Sequence, residues 1–365
     1  MRLRSIISSR KDEPADDPAD LVAQAAAAEA DGRLLDAVDT LARAEHARRD
    51  TALERRLVRL RHRAYGETRR APGPSSWPVV PPGDGLVDAG LPVIDAPELD
   101  AGALSTGILR HGGLHVRGLI PTDTVDQLRD GIDRAMEGFE ANAAGTPPRE
   151  TTPWYEPFKP DPEFTTFFKR KKKSVREGVG GDRRGQRPSG MWTAESPRVL
   201  ADLVDAFDRA GLTAAIAEYF GERPVLSVAK CTLRRVPVDT IGGWHQDGAF
   251  MGDGIRTVNV WMALTDCGLD APGLDVVPRR IDHVVETGTE GAHFPWSVSQ
   301  AVVDREAAES PVVRPTFAAG DVLIFDDLFL HRTGVDPSMT HDRYAIETWC
   351  FAPSLYPDGQ IPLVL

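Results

Sequence analysis

The strongest constraint on the fold is a change of sequence character at Pro224. Beyond it, short β-prone apolar runs alternate with turns rich in Gly, Pro and Asp, a pattern typical of a sandwich or barrel. Helical patterns lie mainly upstream, so the predicted class is mainly β with helices (α+β), with a double-stranded β-helix, or jelly-roll, core of the cupin kind. The predicted strands are Val225 to Val236, Thr257 to Leu264, Leu274 to Val277, Val312-Val313, Asp321 to Phe325 and Tyr344 to Phe351.

The upstream part of the chain divides at a Pro-rich stretch, Pro72 to Pro82. We predict an N-terminal tail and helical segment over residues 1–71, a linker over 72–92 and a jelly-roll domain over 93–365. The helical segment is Ala- and Leu-rich and resembles a single tetratricopeptide unit, but such repeats need several copies to bury a core. Alternatively, residues 20–65 form a helical hairpin that packs on the main domain, binds a protein partner or mediates self-association.

Between the linker and Pro224 the sequence predicts short strands at Val93-Ile94 and Gly113 to Leu119, and helices from Pro121, from Pro197 and over Leu212 to Phe220. Residues 142–192 lack periodicity and contain a basic segment, residues 169–187. It carries nine basic and two acidic residues, a net charge of +7. This segment is either a solvated loop or a lid that draws an anionic substrate to the barrel mouth.

Charge and cysteine content narrow the functional class. A net charge of −12 argues against nucleic acid or an anionic membrane as a partner. The three cysteines form no CxxC pair, which indicates neither a disulfide framework nor a zinc ribbon and fits a cytoplasmic protein. We find no signal peptide and no apolar run that approaches a membrane span.

The chemistry is expected at Trp244-His245-Gln246-Asp247-Gly248. His245 and Asp247 are two residues apart, so they would share one face of a strand. With one distant histidine they would form the 2-His-1-carboxylate triad that holds non-haem Fe(II) and leaves positions open. His331, beyond the apolar strand 322–325, is the predicted third ligand.

Arg343 begins the strand that follows His331 and is predicted to lie alongside it, deeper in the barrel. That position suits 2-oxoglutarate, whose keto acid end can chelate iron while its 5-carboxylate binds a bidentate, permanently charged donor. Thr333 shares a face with His331 and could donate a hydroxyl hydrogen bond to the same carboxylate. The last open position on the iron would take O₂.

Other histidines are weaker candidates for the metal. His341 lies two residues from Arg343, so iron and co-substrate would crowd each other. His283 follows a strand end and could line the pocket or lie at the surface. The predicted substrate contacts are Trp244, Phe250, Met251 and His283.

Four ordered motifs carry a resemblance to a known family. They are Trp244 to Gly248, Val258 to Asp266, Gly273 to Pro278, and Gly320 to Phe325 with His331 and Arg343. In order and spacing the chain resembles the phytanoyl-CoA dioxygenase family along roughly residues 93–355. The resemblance implies a jelly roll, Fe(II) on the triad, 2-oxoglutarate held by Arg343 and Thr333, and Trp261 as a wall near the co-substrate.

The resemblance also implies a reaction: hydroxylation of an aliphatic carbon of a small molecule, with release of succinate and CO₂. Relatives that halogenate lack the carboxylate, so Asp247 favours hydroxylation. Where the family usually continues after Pro278 with Gly-Ser-His, this chain has Arg279 to His283, which disfavours a phytanoyl-CoA-like substrate. Two other readings stay open: an idle jelly roll that acts as a scaffold or sensor through its helical hairpin, and an oxygenase whose protein-tethered substrate docks on residues 20–65.

Overall fold

A computed structural model describes residues 17–84, 86–87, 89–146, 153–162, 164, 191–240 and 242–365. The predicted basic segment, residues 169–187, lies outside the described residues, and so do residues 1–16 of the predicted tail. The helices are α1 Pro18–Ala30, α2 Leu34–Ala47, α3 Thr51–Thr68, α4 Ala101–His111, α5 Thr122–Ala143, α6 Pro197–Arg209, α7 Leu212–Phe220, α8 Gly248–Met251 and α9 Gln300–Glu306. The strands are β1 Val93–Asp95, β2 Gly113–Arg117, β3 Met191–Trp192, β4 Val225–Val236, β5 Thr257–Ala263, β6 Gly273–Val276, β7 Val322–Phe325, β8 His331–Gly334, β9 Arg343–Phe351 and β10 Pro362–Val364.

Local sequence explains where the N-terminal helices begin. Asp17 caps α1, where Pro18 occupies the first turn, and Asp50 accepts hydrogen bonds from the first backbone N–H groups of α3. The predicted helical segment contains three helices, and the first of them begins at Pro18. Among the described residues, no helix is long and apolar enough to span a membrane.

The helical segment packs on the rest of the chain through α3. The Arg61 guanidinium donates to the carbonyl of Val364, 3.0 Å away, and a ring nitrogen of His62 lies 2.6 Å from the carbonyl of Pro362. The buried Glu54 pairs with Arg198 of α6. These contacts tie α3 to β10 and α6. The division of the chain at residues 72 and 93 stays a prediction, as does a partner role for residues 20–65.

Two sheets form the β core. The large sheet has the order β1-β2-β7-β5-β9-β4-β10, with β3 beside β4, and only the β1–β2 pair in it is parallel. The second sheet is the antiparallel pair β6–β8, extended by backbone bridges of residues 244–245, 298 and 313. This mixed α+β fold with a jelly-roll core confirms the predicted class.

The large sheet presents two different apolar faces because successive side chains point to opposite sides of a strand. In β5, whose seven residues are all buried, Val260 and Met262 pack toward the helices. Trp261 packs on the opposite side with Leu323 and Trp349, in the space between the two sheets. The interior of the barrel is therefore lined by β5, β7 and β9.

Several elements differ from the sequence prediction, and three of the differences have a clear local reason. Helix α4 was not expected, because Gly102 and Gly107 weaken its helical pattern; Gly107 is required there because an added Cβ would lie 2.7 Å from Leu114. Strand β8 was not expected because its sequence, HRTG, has no apolar run. The predicted strand at Val312-Val313 is reduced to a single bridge between Val313 and Val276.

Gly320 provides a test of this architecture. It has φ 99°, its N–H donates to the carbonyl of Ala263, and its carbonyl accepts from Ile120. Because an added Cβ would overlap the Ile120 carbonyl, we expect Gly320→Ala to lower the free energy of unfolding by about 2–4 kcal/mol. Gly145, with φ 88° but open space around it, is the control and should lose only about 1–2 kcal/mol in the same urea titration. Equal losses would contradict the clash.

Candidate metal centre

The predicted metal motif is held by a backbone pair between two histidines. The N–H of His245 donates to the carbonyl of His331 at 2.9 Å, and the reverse bond measures 3.0 Å. Asp247 does not continue the strand. It has helical φ and ψ angles and stands just before α8, where it caps the helix without a side-chain hydrogen bond. The expected shared side of His245 and Asp247 is therefore produced by a strand-to-helix turn and not by strand alternation.

Three ligand atoms converge at this turn. His245 Nε2 lies 3.8 Å from Asp247 Oδ2, and His331 Nε2 lies 3.7 Å from the same oxygen. One ligand atom from each residue lies within 4.8 Å of the others. The two imidazole centroids are 4.4 Å apart. Two histidines and one carboxylate on one side of a small space form the donor set of a facial triad.

Backbone carbonyls orient both imidazoles. His245 Nδ1 lies 2.8 Å from the carbonyl of Gly243, and His331 Nδ1 lies 2.9 Å from the carbonyl of Phe329. A carbonyl only accepts, so each Nδ1 carries the proton and each Nε2 presents a lone pair to the space beside Asp247. This outer hydrogen bond is the usual way in which proteins fix the tautomer of a ligating histidine.

Burial makes the site costly without a cation. Asp247 and His331 are almost fully buried, and Asp247 Oδ2 has no hydrogen-bond partner. Burial raises the pKa of Asp247, opposed by the nearby charges of His245 and Lys230. Burial and the neighbouring His245 lower the pKa of His331 to about 3, which keeps the imidazole in the neutral, ligating form. A divalent metal ion fits this donor set because it would compensate the buried carboxylate.

Gln246, between two of the ligands, is fully buried and holds three backbone segments together. Its Nε2 donates to the carbonyls of His283 and Leu328, at 3.0 and 2.6 Å, and its Oε1 accepts from the N–H of Val285 at 2.7 Å. The three backbone groups that bond to Gln246 lie on loops beside the metal motif. Gln246 thus fixes the turn that carries His245 and Asp247.

Arg343 lies buried at the start of β9, and its guanidinium reaches the β6–β8 sheet. Its Nη1 donates to the carbonyl of Gly273 at 2.8 Å, while its Nε has no partner. Burial lowers its pKa to about 10, so it stays charged at neutral pH. Its charge lies 5.2 Å from the ring centroid of Trp261. Thr333 is two residues after His331 in β8, and therefore on the same face of the strand.

The structure brings only some of the predicted substrate contacts to the triad. The ring of Phe250 stacks near that of His245, at 6.2 Å, and Met251 packs in the interior apolar cluster with Trp261. Trp244 instead packs against Arg332, at 4.8 Å, in a separate apolar cluster. The His283 side chain is exposed, and only its carbonyl approaches the site, through Gln246.

The unusual stretch after Pro278 has a structural use. The Arg279 guanidinium donates to both the backbone carbonyl and the side-chain carboxylate of Glu306. Arg280 pairs with the buried Asp326. Glu306 is the last residue of α9, and Asp326 directly follows β7. The two guanidiniums therefore connect the stretch after Pro278 to neighbouring elements of the fold.

Four functional candidates were missed from the sequence: Lys230, Arg234, Glu347 and Trp296. The Lys230 ammonium lies 3.9 Å from Asp247 Oδ1, and Arg234 Nη1 lies 2.8 Å from Glu347 Oε2. The sequence did contain a signal for Lys230, Arg234 and Glu347, because these charged residues interrupt β4 and β9, which are otherwise largely apolar. The Trp296 ring lies 5.6 Å from that of His245, but its loop gave no pattern to read.

The sequence matches the profile of the family described as phytanoyl-CoA dioxygenase (PhyH) over residues 108–339, which is more than half of the chain. The chain belongs to the phytanoyl-CoA dioxygenase family. Membership supports an oxygenase enzyme with a dioxygenase kind of function, and the matched region contains His245, Asp247 and His331. No curated protein sequence matches the chain.

Solved structures with similarity to this chain are distant. AviO1 from Streptomyces viridochromogenes Tue57 is 20% identical, with 68% of this chain and 93% of that chain covered and a TM-score of 0.41. EctD from S. alaskensis in its apoform is 16% identical, with coverages of 79% and 88% and a TM-score of 0.45. The non-haem alpha-ketoglutarate-dependent carbocyclase SnoK from nogalamycin biosynthesis is 15% identical, with coverages of 70% and 85% and a TM-score of 0.37.

The clamp by Gln246 predicts a measurable effect on metal binding. Gln246→Leu keeps the approximate volume but removes three hydrogen bonds, so we expect metal affinity to fall by roughly 10- to 100-fold. Isothermal titration with Zn²⁺ measures the change without turnover. Gln300→Leu is the matched control, since Gln300 is exposed and bonds only to Asp304 of its own helix. Unchanged Zn²⁺ affinity in a folded Gln246→Leu protein would rule out the clamp.

Proposed function

We propose that the protein is an Fe(II)- and 2-oxoglutarate-dependent dioxygenase that hydroxylates an aliphatic carbon of a small molecule. The co-substrates are 2-oxoglutarate and O₂, and the co-products are succinate and CO₂. The observation that carries the proposal is the unpartnered, buried Asp247 oxygen faced by two Nε2 atoms, with a buried, partly unpartnered Arg343 in the same barrel. Family membership supports the same class of chemistry.

The roles of the side chains follow from their positions. His245, Asp247 and His331 would hold the iron, which when bound supplies the oxidative chemistry. A triad of this kind would leave coordination positions of the metal open for exchangeable ligands. Relatives that halogenate lack the carboxylate and so have room for a halide, so the presence of Asp247 favours hydroxylation over halogenation.

Arg343 is the candidate anchor for the 5-carboxylate of 2-oxoglutarate. Its Nε has no partner, and one of its nitrogens is held by the carbonyl of Gly273, so the guanidinium is positioned with donors to spare. A guanidinium fork matches a carboxylate in geometry and charge. Thr333 would donate its hydroxyl to the same group, and Trp261 would form the adjacent wall.

The triad lies between a buried apolar interior and a partly exposed aromatic side. Below it, the interior cluster that includes Trp261, Leu323 and Trp349 is almost completely buried. At its side, Phe250 and Trp296 are each more than one-third exposed. Substrate would approach along this aromatic side, and the apolar interior would exclude water from the reacting centre.

The alternative is a catalytically idle jelly roll that works as a scaffold or sensor through its helical segment. Such a protein has no need to keep two oriented imidazoles beside an orphaned carboxylate, a costly arrangement without a metal. The intact His245, Asp247, His331 and Arg343 therefore favour the enzyme.

The cofactor assignment is tested by anaerobic addition of Fe(II) and then 2-oxoglutarate to the purified protein. We expect a weak visible charge-transfer band that appears only with both, and succinate release on admission of air. Asp247→Ala and His331→Ala should abolish the band and turnover. His341→Ala, which changes an exposed histidine outside the triad, should retain both. Full substrate oxidation by Asp247→Ala or His331→Ala would contradict the cofactor assignment.

A substitution at Arg343 would distinguish binding of 2-oxoglutarate from binding of the metal. Arg343→Met fills the same space without charge, so we expect the concentration of 2-oxoglutarate needed for the visible band to rise roughly 10- to 100-fold, as for loss of charge-assisted hydrogen bonds. Affinity for Fe(II) should be unchanged because Arg343 does not contact the ligands. Arg235→Met, which alters a partly exposed arginine of β4, is the control. An unchanged 2-oxoglutarate titration in Arg343→Met would place the anchor elsewhere.

A further inference from the structure

Strand β4 carries a lysine that faces the triad. Lys230 Nζ lies 3.9 Å from Asp247 Oδ1 and 4.0 Å from the ring centroid of Phe250, and about one-quarter of its side chain is exposed. The distance to Asp247 is too long for a hydrogen bond. Among the residues that the structure describes, Lys230 Nζ therefore has an ion-pair neighbour and an aromatic face but no hydrogen-bond acceptor.

The two other cationic side chains of the barrel interior, Arg234 and Arg343, have different partners. Arg234 pairs with Glu347, 2.8 Å away, and Glu347 also accepts from the indole of Trp349 at 3.2 Å. Arg343 is assigned above to the co-substrate. The only carboxylate near Lys230 within salt-bridge distance, in the described part of the chain, is Asp247, and a bound metal would take the charge of that group.

A bound metal would leave Lys230 without a counter-ion. The cation would share the negative charge of Asp247, the carboxylate nearest to Lys230 Nζ. Lys230 would then be a largely buried ammonium without a partner, which is unfavourable. A single negative charge on the substrate would pair with it.

The surface beside Lys230 is aromatic. The Trp296 ring contacts those of Phe250, at 5.3 Å, and Phe294, at 5.0 Å and nearly parallel. These three rings are among the few large apolar side chains exposed in the described part of the chain, and two of them, Phe250 and Trp296, adjoin His245. An exposed apolar group of this kind beside a candidate reaction centre is typical of a binding surface.

We propose that Lys230 binds a monoanionic oxyanion of the substrate, a carboxylate or a sulfonate-like group, while the apolar or ring-shaped body of the same molecule packs on Phe250 and Trp296. This inference rests on the proposed function, since it places the anion beside a loaded iron site. Lys230 is then a determinant of substrate choice. Lys230 belongs to β4 of the large sheet, within the described part of the chain.

The test uses matched probes on the full chain, loaded anaerobically with Fe(II) and saturating 2-oxoglutarate so that Arg343 is occupied. The probes are 3-phenylpropionate, 3-phenylpropanesulfonate and the neutral 3-phenylpropionamide. By titration calorimetry we expect the wild type to bind the two anions about tenfold or more tightly than the amide, as a charge-assisted hydrogen bond would give. A preference for only one anion identifies which oxyanion the subsite takes.

Three variants locate the preference. Lys230→Gln should bind all three probes within about twofold of one another, and Lys230→Arg should restore a preference for the anions. Lys159→Gln, the same substitution at an exposed position, should behave as the wild type. A wild type that binds neither anion more tightly than the amide, or a Lys230→Gln protein that keeps the preference, overturns the inference.

Two further measurements distinguish substrate binding by Lys230 from positioning of Asp247 and from a failure of the proposed function. If Lys230 served to position Asp247, Lys230→Gln would weaken Fe(II) binding; we expect Fe(II) affinity to be equal or higher, because a cation near the ligand is removed. The visible band of the wild type is measured first. Its absence would refute the proposed function, whereas its presence in both proteins with an unchanged probe preference would refute only the Lys230 subsite.

Discussion

The reciprocal backbone pair between His245 and His331 is the interaction on which the candidate site depends. It joins the metal motif to β8 in one register, with N···O distances of 2.9 and 3.0 Å. A shift of one residue would turn either imidazole to the other face of its strand. Thr333 follows on the same face of β8 as His331. A second pairing, of β8 with β6, brings the Gly273 carbonyl that holds Arg343 beside this strand. The two pairings of β8 together align the metal ligands with the candidate co-substrate anchor.

The barrel interior carries charges that an apolar core of this kind would not tolerate without compensation. The compensation takes two forms. Arg234 and Glu347 neutralise each other directly, and the Trp349 indole satisfies a remaining carboxylate oxygen. Asp247 and Arg343, in contrast, have no carboxylate–guanidinium partner at hydrogen-bond distance among the described residues, and each keeps a buried atom without a partner. The ion pair of Arg234 and Glu347 organises the interior, and the two unpaired groups mark where the ligands are expected to bind.

Sequence periodicity was sufficient for the fold class and for most strands, because β4, β5, β7 and β9 are buried enough to read as apolar runs. It failed for β8, whose sequence is polar, because this strand is held by backbone hydrogen bonds to β6 and to His245 and not by an apolar stripe. Spacing alone also misassigned the local structure of Asp247, which stands in a turn before α8. Trp244 was a predicted substrate contact because it adjoins His245, but adjacent strand residues face opposite sides, and the structure packs it away from the triad.

The candidate metal ligands and the proposed substrate lysine, Lys230, lie on different parts of this fold. The triad depends on a strand register and on Gln246, so few positions there can change without loss of the geometry. Lys230 instead projects from β4 at an irregularity in its pairing with β9, between Leu226 and Cys231. No backbone pair of that ladder includes Lys230, so a substitution there would alter the charge beside the triad without breaking a paired position. Glu347, which neutralises Arg234, has no such freedom. A change of substrate charge preference is therefore expected at Lys230, and the turn that carries the triad would stay unchanged.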